Sequence, residues 1–374
     1  MSEPDQDKVI ALVNSLFKVS QFDKSLYSLE FRIADTDFQL KFEELSKKLN
    51  DLNYMGKIEV MNKENYIIVQ KFPQMQKKRW LNSSWTPRIL FAVVVAFVMI
   101  DGYFRTLGTN MITNIGDPIE MAAIYTLSLL GILGVHELGH MFAAKFHGLK
   151  TTWPFFIPGI PIGGFLPTFG ALIVPKEPMI NRKILFDVAI AGPVAGLAIT
   201  IIVVLFGAFT APIIESDVAQ KLYEEENLRE FDFGEPLFMK GALSLFDKGG
   251  PETEVLLTPV LWAAWIGFFI TFLNLMPAWQ LDGGHMARTV FGPKLHKYCT
   301  YGSLVVLSLI GFEFAAIMIY FFSRRSFSAV PSDDVSTISQ NRKIIYVGII
   351  VLAILCLPIP ENLCMPFSRN LCIF

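Results

Sequence analysis

The sequence contains few charged residues, few cysteines and no excess of either charge. Of its 374 residues 18% are charged, and 32 Lys and Arg nearly balance 34 Asp and Glu. A nucleic-acid-binding chain usually carries a basic excess, so this balance argues against a nucleic-acid partner. The four cysteines, three of them at Cys356, Cys364 and Cys372, are too few and wrongly spaced for a disulfide scaffold or a cysteine zinc site.

The composition is strongly apolar. Hydrophobic residues make up 52% of the chain, and the mean hydropathy is +0.45. An ordinary soluble protein is less apolar than this. The sequence therefore predicts a protein that lies in the lipid bilayer.

Residues 1–80 are the most polar part of the chain and are predicted to form a small soluble α+β domain. Hydrophobic periodicity predicts helices and strands in the order helix 8–19, strand 28–33, helix 38–52, strand 57–61 and strand 66–72. The domain shows no catalytic constellation, so we expect a regulatory or substrate-selecting role. The first eight residues carry three acids and no apolar run, which predicts neither a signal peptide nor a transit peptide.

Residues 81–360 are predicted to form an all-α transmembrane domain, a six-helix bundle, because about 20 helical residues cross a hydrocarbon core of about 30 Å. The six predicted spans lie at 87–106, 119–146, 184–211, 255–277, 299–322 and 343–359. Residues 212–254 are predicted as an insertion outside the membrane, and 361–374 as a C-terminal tail.

The distribution of Lys and Arg predicts the orientation, because basic residues are retained on the cytoplasmic side. Three basic residues, Lys77, Lys78 and Arg79, lie between the N-terminal domain and the first span. The loop after span two carries Lys145, Lys150, Lys176, Arg182 and Lys183, and the loop after span four carries Arg288, Lys294 and Lys297. These segments, with the N-terminal domain, are predicted to be cytoplasmic, and the insertion with Glu224, Glu225 and Glu226 external. The loop between spans five and six disagrees, because alternation places its Arg324, Arg325, Arg342 and Lys343 outside.

Span two contains the motif His136-Glu137-Leu138-Gly139-His140. Residues four apart lie on one helix face, so His136 and His140 can direct their imidazoles at one zinc ion, while Glu137 is placed to act as a general base toward water. A chance match on a buried helix is the alternative. Burying ionisable groups in hydrocarbon is costly without a function, which favours the metal site.

A catalytic zinc needs a third protein ligand, and the end of span four supplies Asp282. Pro277 is expected to end the helix, and Gly283-Gly284 permits a tight return toward the bilayer interior. Depth arithmetic at 1.5 Å per residue places the histidines in the cytoplasmic third of the bilayer and the end of span four at the cytoplasmic edge. A surface turn is the alternative for Asp282. His285 is an alternative candidate for a metal ligand, although it is predicted to lie at an exposed turn, and Glu313 is predicted to lie inside span five.

Together these segments resemble the site-2 protease family of intramembrane zinc metalloproteases. The family's two signatures, His-Glu-x-x-His and Asn-x-x-Pro-x-x-x-Leu-Asp-Gly, are matched by residues 136–140 and 274–283. The resemblance implies that His136, His140 and Asp282 bind Zn²⁺, that Glu137 is the general base, and that Asn274 holds the substrate or stabilises the oxyanion. An interhelical hydrogen bond is an alternative role for Asn274.

Two further segments fit the resemblance. Residues 191–196 in span three form a run of small residues that lets helices approach closely. Residues 155–174 are apolar but rich in Pro and Gly, which predicts a loop or short strands that dip into the membrane. Such an edge could pair with an extended substrate by strand addition, whereas a membrane-anchoring loop is the alternative.

The predicted function is hydrolysis of peptide bonds in the transmembrane segments of membrane-protein substrates. The alternatives are a metal transporter or other metal-binding membrane protein, and a catalytically inactive homologue. A transporter is expected to repeat polar groups along a path through the bilayer, which is not apparent here. Because no transit peptide is predicted, the expected location is a prokaryotic cell membrane.

Overall fold

A computed structural model describes residues 3–25, 27–72, 83, 85–160, 166–224, 234–248, 250, 253–324 and 330–359. Several predicted features lie outside these residues. They are the basic group at 77–79, Glu225, Glu226, Arg325 and the C-terminal tail at 361–374.

The N-terminal residues form the predicted α+β unit. Its elements are α1 (Glu3–Leu16), β1 (Val19–Lys24), β2 (Ser28–Ile33), α2 (Gln39–Asp51), β3 (Tyr54–Met61) and β4 (Glu64–Lys71). The strands form one antiparallel sheet in the order β1-β2-β4-β3. The sequence analysis missed β1, because this edge strand is exposed from Ser20 to Lys24 and has no alternation of apolar and polar residues.

The core of this unit continues into the helices that follow. Ile58 and its apolar neighbours pack in one buried cluster with Ala144, Leu149, Ile180 and Ile184. The N-terminal unit is therefore attached to the helical part of the chain by shared hydrophobic burial as well as by the connecting residues.

Three helices among the described residues are long and apolar enough to cross a membrane. They are α3 (Trp85–Asn110), α4 (Pro118–Phe146) and α5 (Arg182–Thr210), and they correspond to the first three predicted spans. Between α4 and α5 lie β5 (Phe155–Pro158) and β6 (Thr168–Leu172), which pair as antiparallel strands.

The predicted insertion contains short elements. They are β7 (Ile213–Glu215), α6 (Ser216–Glu224), β8 (Glu235–Pro236), α7 (Leu237–Leu245) and β9 (Thr253–Val255). Strand β7 pairs with β9, so the two ends of the insertion lie together.

The fourth predicted span is α8 (Pro259–Leu275), which ends before Pro277 as expected. The fifth differs from the prediction of one continuous span at 299–322. Helix α9 (Asp282–Leu309) is broken at Gly292, and α10 (Glu313–Ser323) follows after Gly311. Both glycines have positive φ, 80° and 83°, a conformation that side chains disfavour, so the chain changes direction at each.

The second half of α9 and α10 form a pair that turns back on itself. At the turn, Phe312 packs against Phe269 in the middle of α8, with the rings tilted and their centroids 4.6 Å apart. At the end of α10, Phe322 stacks on Trp279 at 5.4 Å. Glu313 therefore begins a helix beside the turn, where it is exposed, rather than lying inside a continuous span.

The last helix, α11 (Gln340–Cys356), follows the loop that disagreed with the charge pattern. Before it, the backbone N–H of Ser332 donates to Met179, and the N–H of Ile58 donates to Ser332. After it, β10 (Pro358–Ile359) pairs with β8 in the insertion. The loop between predicted spans five and six thus lies beside the N-terminal unit.

Candidate metal centre

Helix α4 places two imidazoles on one face. The helix starts cleanly, because the Asp117 side chain accepts hydrogen bonds from the first free N–H groups and Pro118 occupies the first helical position. The Nε2 atoms of His136 and His140 lie 3.1 Å apart, as the spacing of four residues predicts. His136 is buried, with 5% of its surface exposed.

Asp282 reaches this pair from the other half of the chain. Its Oδ2 lies 3.4 Å from Nε2 of His136 and 3.3 Å from Nε2 of His140. The close approach depends on the glycine pair that follows it. A Cβ on Gly283 would lie 2.1 Å from the carbonyl oxygen of Leu275, and one on Gly284 would lie 2.3 Å from that of Ala278.

The turn between α8 and α9 is held by a second helix segment. Trp279 adopts a left-handed backbone conformation, with φ of 46°. Its N–H donates to Oγ1 of Thr300, and His296 Nε2 donates to its carbonyl oxygen, at 3.0 Å each. The second half of α9 therefore supports the turn that returns Asp282 to the histidines.

The tautomer of His140 follows from its neighbour on α5. Nδ1 lies 2.8 Å from the carbonyl oxygen of Val188. A carbonyl can only accept, so Nδ1 carries the hydrogen and Nε2 has its lone pair free for a metal. The two helices are close enough for this bond because Gly139 packs directly on Ala191, where a Cβ would meet the carbonyl oxygen at 2.5 Å.

These three side chains fit a zinc ion. One ligand atom from each of His136, His140 and Asp282 lies within 4.8 Å of the others, and this is the one such group of His, Cys, Asp and Glu in the described part of the chain. Two imidazoles and a carboxylate are a ligand set that catalytic zinc uses, with a fourth position left for water or substrate. The prearranged set, with His136 buried and the other two residues partly buried, is thus chemically suited to Zn²⁺.

Glu137 and Asn274 line the same cavity, which has a volume of about 460 Å³. Glu137 is 7% exposed and lies next to the ligand pair on α4. The Asn274 Nδ2 is 3.4 Å from Nε2 of His136, a contact that joins α8 to α4. The interhelical role considered for Asn274 is consistent with this contact, and its oxyanion role remains a prediction.

The prediction that His285 lies at an exposed turn is wrong. It is on the first turns of α9 and lines the cavity, and its Nδ1 is buried without a hydrogen-bond partner among the described residues. The sequence contained a signal for this position, because Asp282 and His285 are three residues apart and share a helix face.

The apolar segment at 155–174 contributes one wall of the cavity. Ala171 and Leu172 of β6, with Ile173, line it, whereas no described residue of β5 does. Since β6 pairs with β5 alone, its other edge has no strand partner within the described residues. Short strands were predicted here, and residues 161–165 lie outside the described part.

Comparisons with known proteins agree with this chemistry. Residues 124–311, half of the chain, match peptidase family M50. A protein named probable zinc metalloprotease EGY2, chloroplastic, from Arabidopsis thaliana is 31% identical over 242 residues, covering 61% of this chain and 40% of that protein. A protein of the same name from Oryza sativa subsp. indica is 28% identical over 293 residues, covering 74% and 50%.

A further relative, probable zinc metalloprotease EGY1, chloroplastic, from Arabidopsis thaliana, is 30% identical over 188 residues, covering 48% of this chain and 33% of that protein. The chain therefore spans half or less of the length of these relatives. All three are named as chloroplastic, so the predicted prokaryotic cell membrane finds no support among them. No solved structure matches the chain significantly.

Proposed function

The chain belongs to peptidase family M50, the site-2 protease family, and we propose that it is an intramembrane zinc metalloendopeptidase. Its substrates are other membrane proteins, and it hydrolyses peptide bonds within their transmembrane segments. The predicted membership and the Zn²⁺ cofactor are confirmed by the family match and by relatives named as zinc metalloproteases.

The observation that carries the proposal is the convergence of Asp282 on the histidine pair of α4. The distances of 3.4 and 3.3 Å bring a carboxylate to two imidazoles that already share one helix face. Glu137 lines the cavity beside this group. A purely structural ion pair needs no such cavity and no additional buried carboxylate, and burying one is costly.

His136, His140 and Asp282 are the residues that hold the metal. Zinc bound there supplies a Lewis acid that polarises the scissile carbonyl and makes water more acidic. Glu137 accepts the proton of the attacking water and then delivers it to the leaving amine. The Asn274 amide donates a hydrogen bond to the negative charge that develops on the carbonyl oxygen.

The free edge of β6 binds the substrate in extended form. Carbonyl groups in a helix are hydrogen-bonded and sterically shielded, so a transmembrane helix is a poor protease substrate until it unwinds. Pairing with β6 replaces the helix hydrogen bonds that the substrate loses. Because residues 171–173 line the cavity, a strand paired there lies beside the metal ligands.

The site lies within the membrane. Helix α4 continues from His136 to Phe146, which corresponds to about 15 Å at 1.5 Å per residue. We place six segments in the bilayer, as the sequence predicts, but the fifth, formed by the second half of α9 and by α10, enters and leaves on one side. The other five are α3, α4, α5, α8 and α11.

This arrangement removes the conflict in the distribution of basic residues. The start of α11, with Arg342 and Lys343, lies on the side of the N-terminal unit, where Arg342 pairs with Asp187 near the start of α5. All the basic loops then share the cytoplasmic side, as the positive-inside rule requires. The N-terminal unit is cytoplasmic, and the insertion at 212–254 is on the opposite side.

Wild type and Glu137→Gln in zinc-loaded liposomes, with a panel of single-span substrates, test the proposal. The expected result is that both bind zinc, while the variant cleaves at least about 100-fold more slowly, because a general base contributes that much or more. Zinc binding without cleavage by either protein, or equal cleavage by both, would contradict the protease proposal and indicate an inactive homologue or another activity. The transporter alternative lacks support, because the described residues contain one metal-competent group rather than a series along a path.

A further inference from the structure

A short segment before α11 joins the N-terminal unit to the helices that carry the site. We name residues 330–336 the tether. The N–H of Ile58 on β3 donates to the carbonyl of Ser332 at 2.9 Å. On its other side, the tether donates from Ser332 to Met179 at 2.8 Å and from Asp333 to Ile180 at 2.7 Å.

The tether presents Asp334 between two arginines. Arg182 donates through Nε to Oδ1 at 2.9 Å. Arg288 donates through both terminal nitrogens, Nη1 to Oδ1 at 3.1 Å and Nη2 to Oδ2 at 2.5 Å. This two-point pairing fixes the orientation of both planar groups, and Arg288 is only 3% exposed.

The carboxylate is preset by the turn that carries it. The neighbouring Asp333 is 1% exposed, and its Oδ1 accepts from the N–H of Val335 at 3.1 Å and from that of Ser336 at 2.9 Å. These bonds fix the local backbone of the turn that carries Asp334.

Each arginine belongs to a helix that supports one part of the metal site. Arg182 begins α5, which further along supplies the Val188 carbonyl that orients His140. Arg288 lies on the first half of α9, the segment that begins at Asp282. The relative placement of these two helix starts therefore determines whether Asp282 meets the imidazole of His140.

We propose that Asp334 is a positioning residue for the metal site. By holding Arg182 and Arg288 at once, its carboxylate keeps the start of α5 and the first half of α9 at the separation that brings His140 and Asp282 together. The tether is also hydrogen-bonded to β3, so the N-terminal unit acts on the site through the same carboxylate. The inference rests on the proposed zinc site.

The test measures the zinc affinity of the full-length protein in detergent by competition with a chromophoric chelator, with Zn²⁺ itself as probe. Asp334→Asn is expected to weaken zinc binding by about 10- to 100-fold, the usual effect of losing a residue that supports metal ligands. Asp334→Glu retains the charge and is expected to recover most of the affinity. The double variant Asp334→Asn with Arg288→Gln is expected to bind zinc no more weakly than Asp334→Asn alone, because Asp334→Asn already removes the interaction with Arg288.

The matched control is Asp101→Asn. Asp101 is also buried, 4% exposed, and it accepts from Arg105 Nε and from the Tyr125 hydroxyl at 2.7 Å each, away from the site. Its replacement is expected to lower the thermal midpoint and leave zinc affinity unchanged. If Asp334→Asn fails to fold, Arg182→Gln, which leaves the Arg288 pair intact, is measured instead, with a smaller loss of affinity expected.

Three outcomes separate the inference from the function on which it rests. Wild-type zinc affinity in Asp334→Asn, or in Arg182→Gln if that variant is used, overturns the positioning role alone. Equal losses of zinc affinity in Asp334→Asn and Asp101→Asn also overturn it, because they indicate general destabilisation. Absence of stoichiometric zinc in the wild-type protein overturns the proposed metal site itself.

Discussion

Gly192 on α5 lies directly against the imidazole of His140. A Cβ at Gly192 would be 2.1 Å from Nε2, the atom proposed to bind the metal. Nδ1 of the same ring donates to the carbonyl oxygen of Val188, one turn earlier on α5. A side chain at position 192 would push the ring away from α5 and disrupt its bond to Val188, so the small-residue run at 191–196 serves the site through packing.

Gly192→Ala is therefore expected to displace His140 and lower zinc affinity by about 10- to 100-fold, the range for disturbed support of a metal ligand. Zinc content after dialysis against a chelator measures this. Gly131→Ala on α4 is the matched control, because a Cβ there meets nothing within 4 Å. Full zinc retention by Gly192→Ala would show that the imidazole relocates without cost.

Asp282→Ala is expected to remove one of three proposed zinc ligands, so the purified protein should lose zinc under conditions in which wild type retains it. Metal analysis by mass spectrometry gives the zinc content per chain. Glu313→Gln serves as control, because it removes an exposed carboxylate that does not line the cavity. Unchanged zinc content in Asp282→Ala would exclude Asp282 from the ligand set.

Asn274→Ala distinguishes the two roles considered for this side chain. If the amide stabilises the oxyanion, kcat falls by about 100- to 1000-fold while zinc content is retained. If it only joins α8 to α4, thermal stability falls and kcat does not. Thr271→Val on the same helix is the control, since the Thr271 hydroxyl bonds to the Gly267 carbonyl within α8. We expect the first result.

The N-terminal unit is expected to lose stability in acid through Asp35. Lys41 beside this carboxylate, together with the N–H of Lys18 at 2.7 Å, lowers the pKa of Asp35 below its usual value. Because the folded pKa is lower, the stabilisation is fully present above the unfolded pKa of about 3.9 and is lost as pH falls through the folded pKa.

Asp35→Asn measures this contribution. The difference in thermal midpoint between wild type and variant should be largest near pH 6 and should shrink below about pH 4. Asp51→Asn, at an exposed position of the same unit, gives the background. A difference that stays constant across this range would mean that the charge of Asp35 contributes nothing.

The turning back of α9 and α10 predicts a labelling pattern in a cysteine-free background. Lys343→Cys and Lys63→Cys should react with a membrane-impermeant thiol reagent from the same side, and Lys221→Cys in the insertion from the other. All three positions are exposed. Labelling of Lys343→Cys from the same side as Lys221→Cys would contradict this arrangement and support strict alternation of the spans.

Sequence patterns located most of the helices and strands that are encoded by the residues of the segment itself. The strand at 28–33 has the predicted bounds, and the first three spans agree within a few residues, because hydrophobic periodicity and length are properties of the segment itself. The prediction at 299–322 failed because hydropathy is similar on both sides of Gly311. The turn there depends on Phe312 packing against Phe269, which is a contact between remote segments.

The sequence by itself determined the chemistry of one helix face: the four-residue spacing of His136 and His140, with Glu137 between them, follows from helical geometry wherever the helix lies. It also indicated Asp282 as a ligand, since Pro277 and the glycine pair imply that the chain turns back toward the bilayer interior after the fourth span. Only the tertiary structure decided that Asp282 meets the histidines and that Asp334 joins the two supporting helices, because such distances are set by packing between segments whose separation along the chain carries no geometric information.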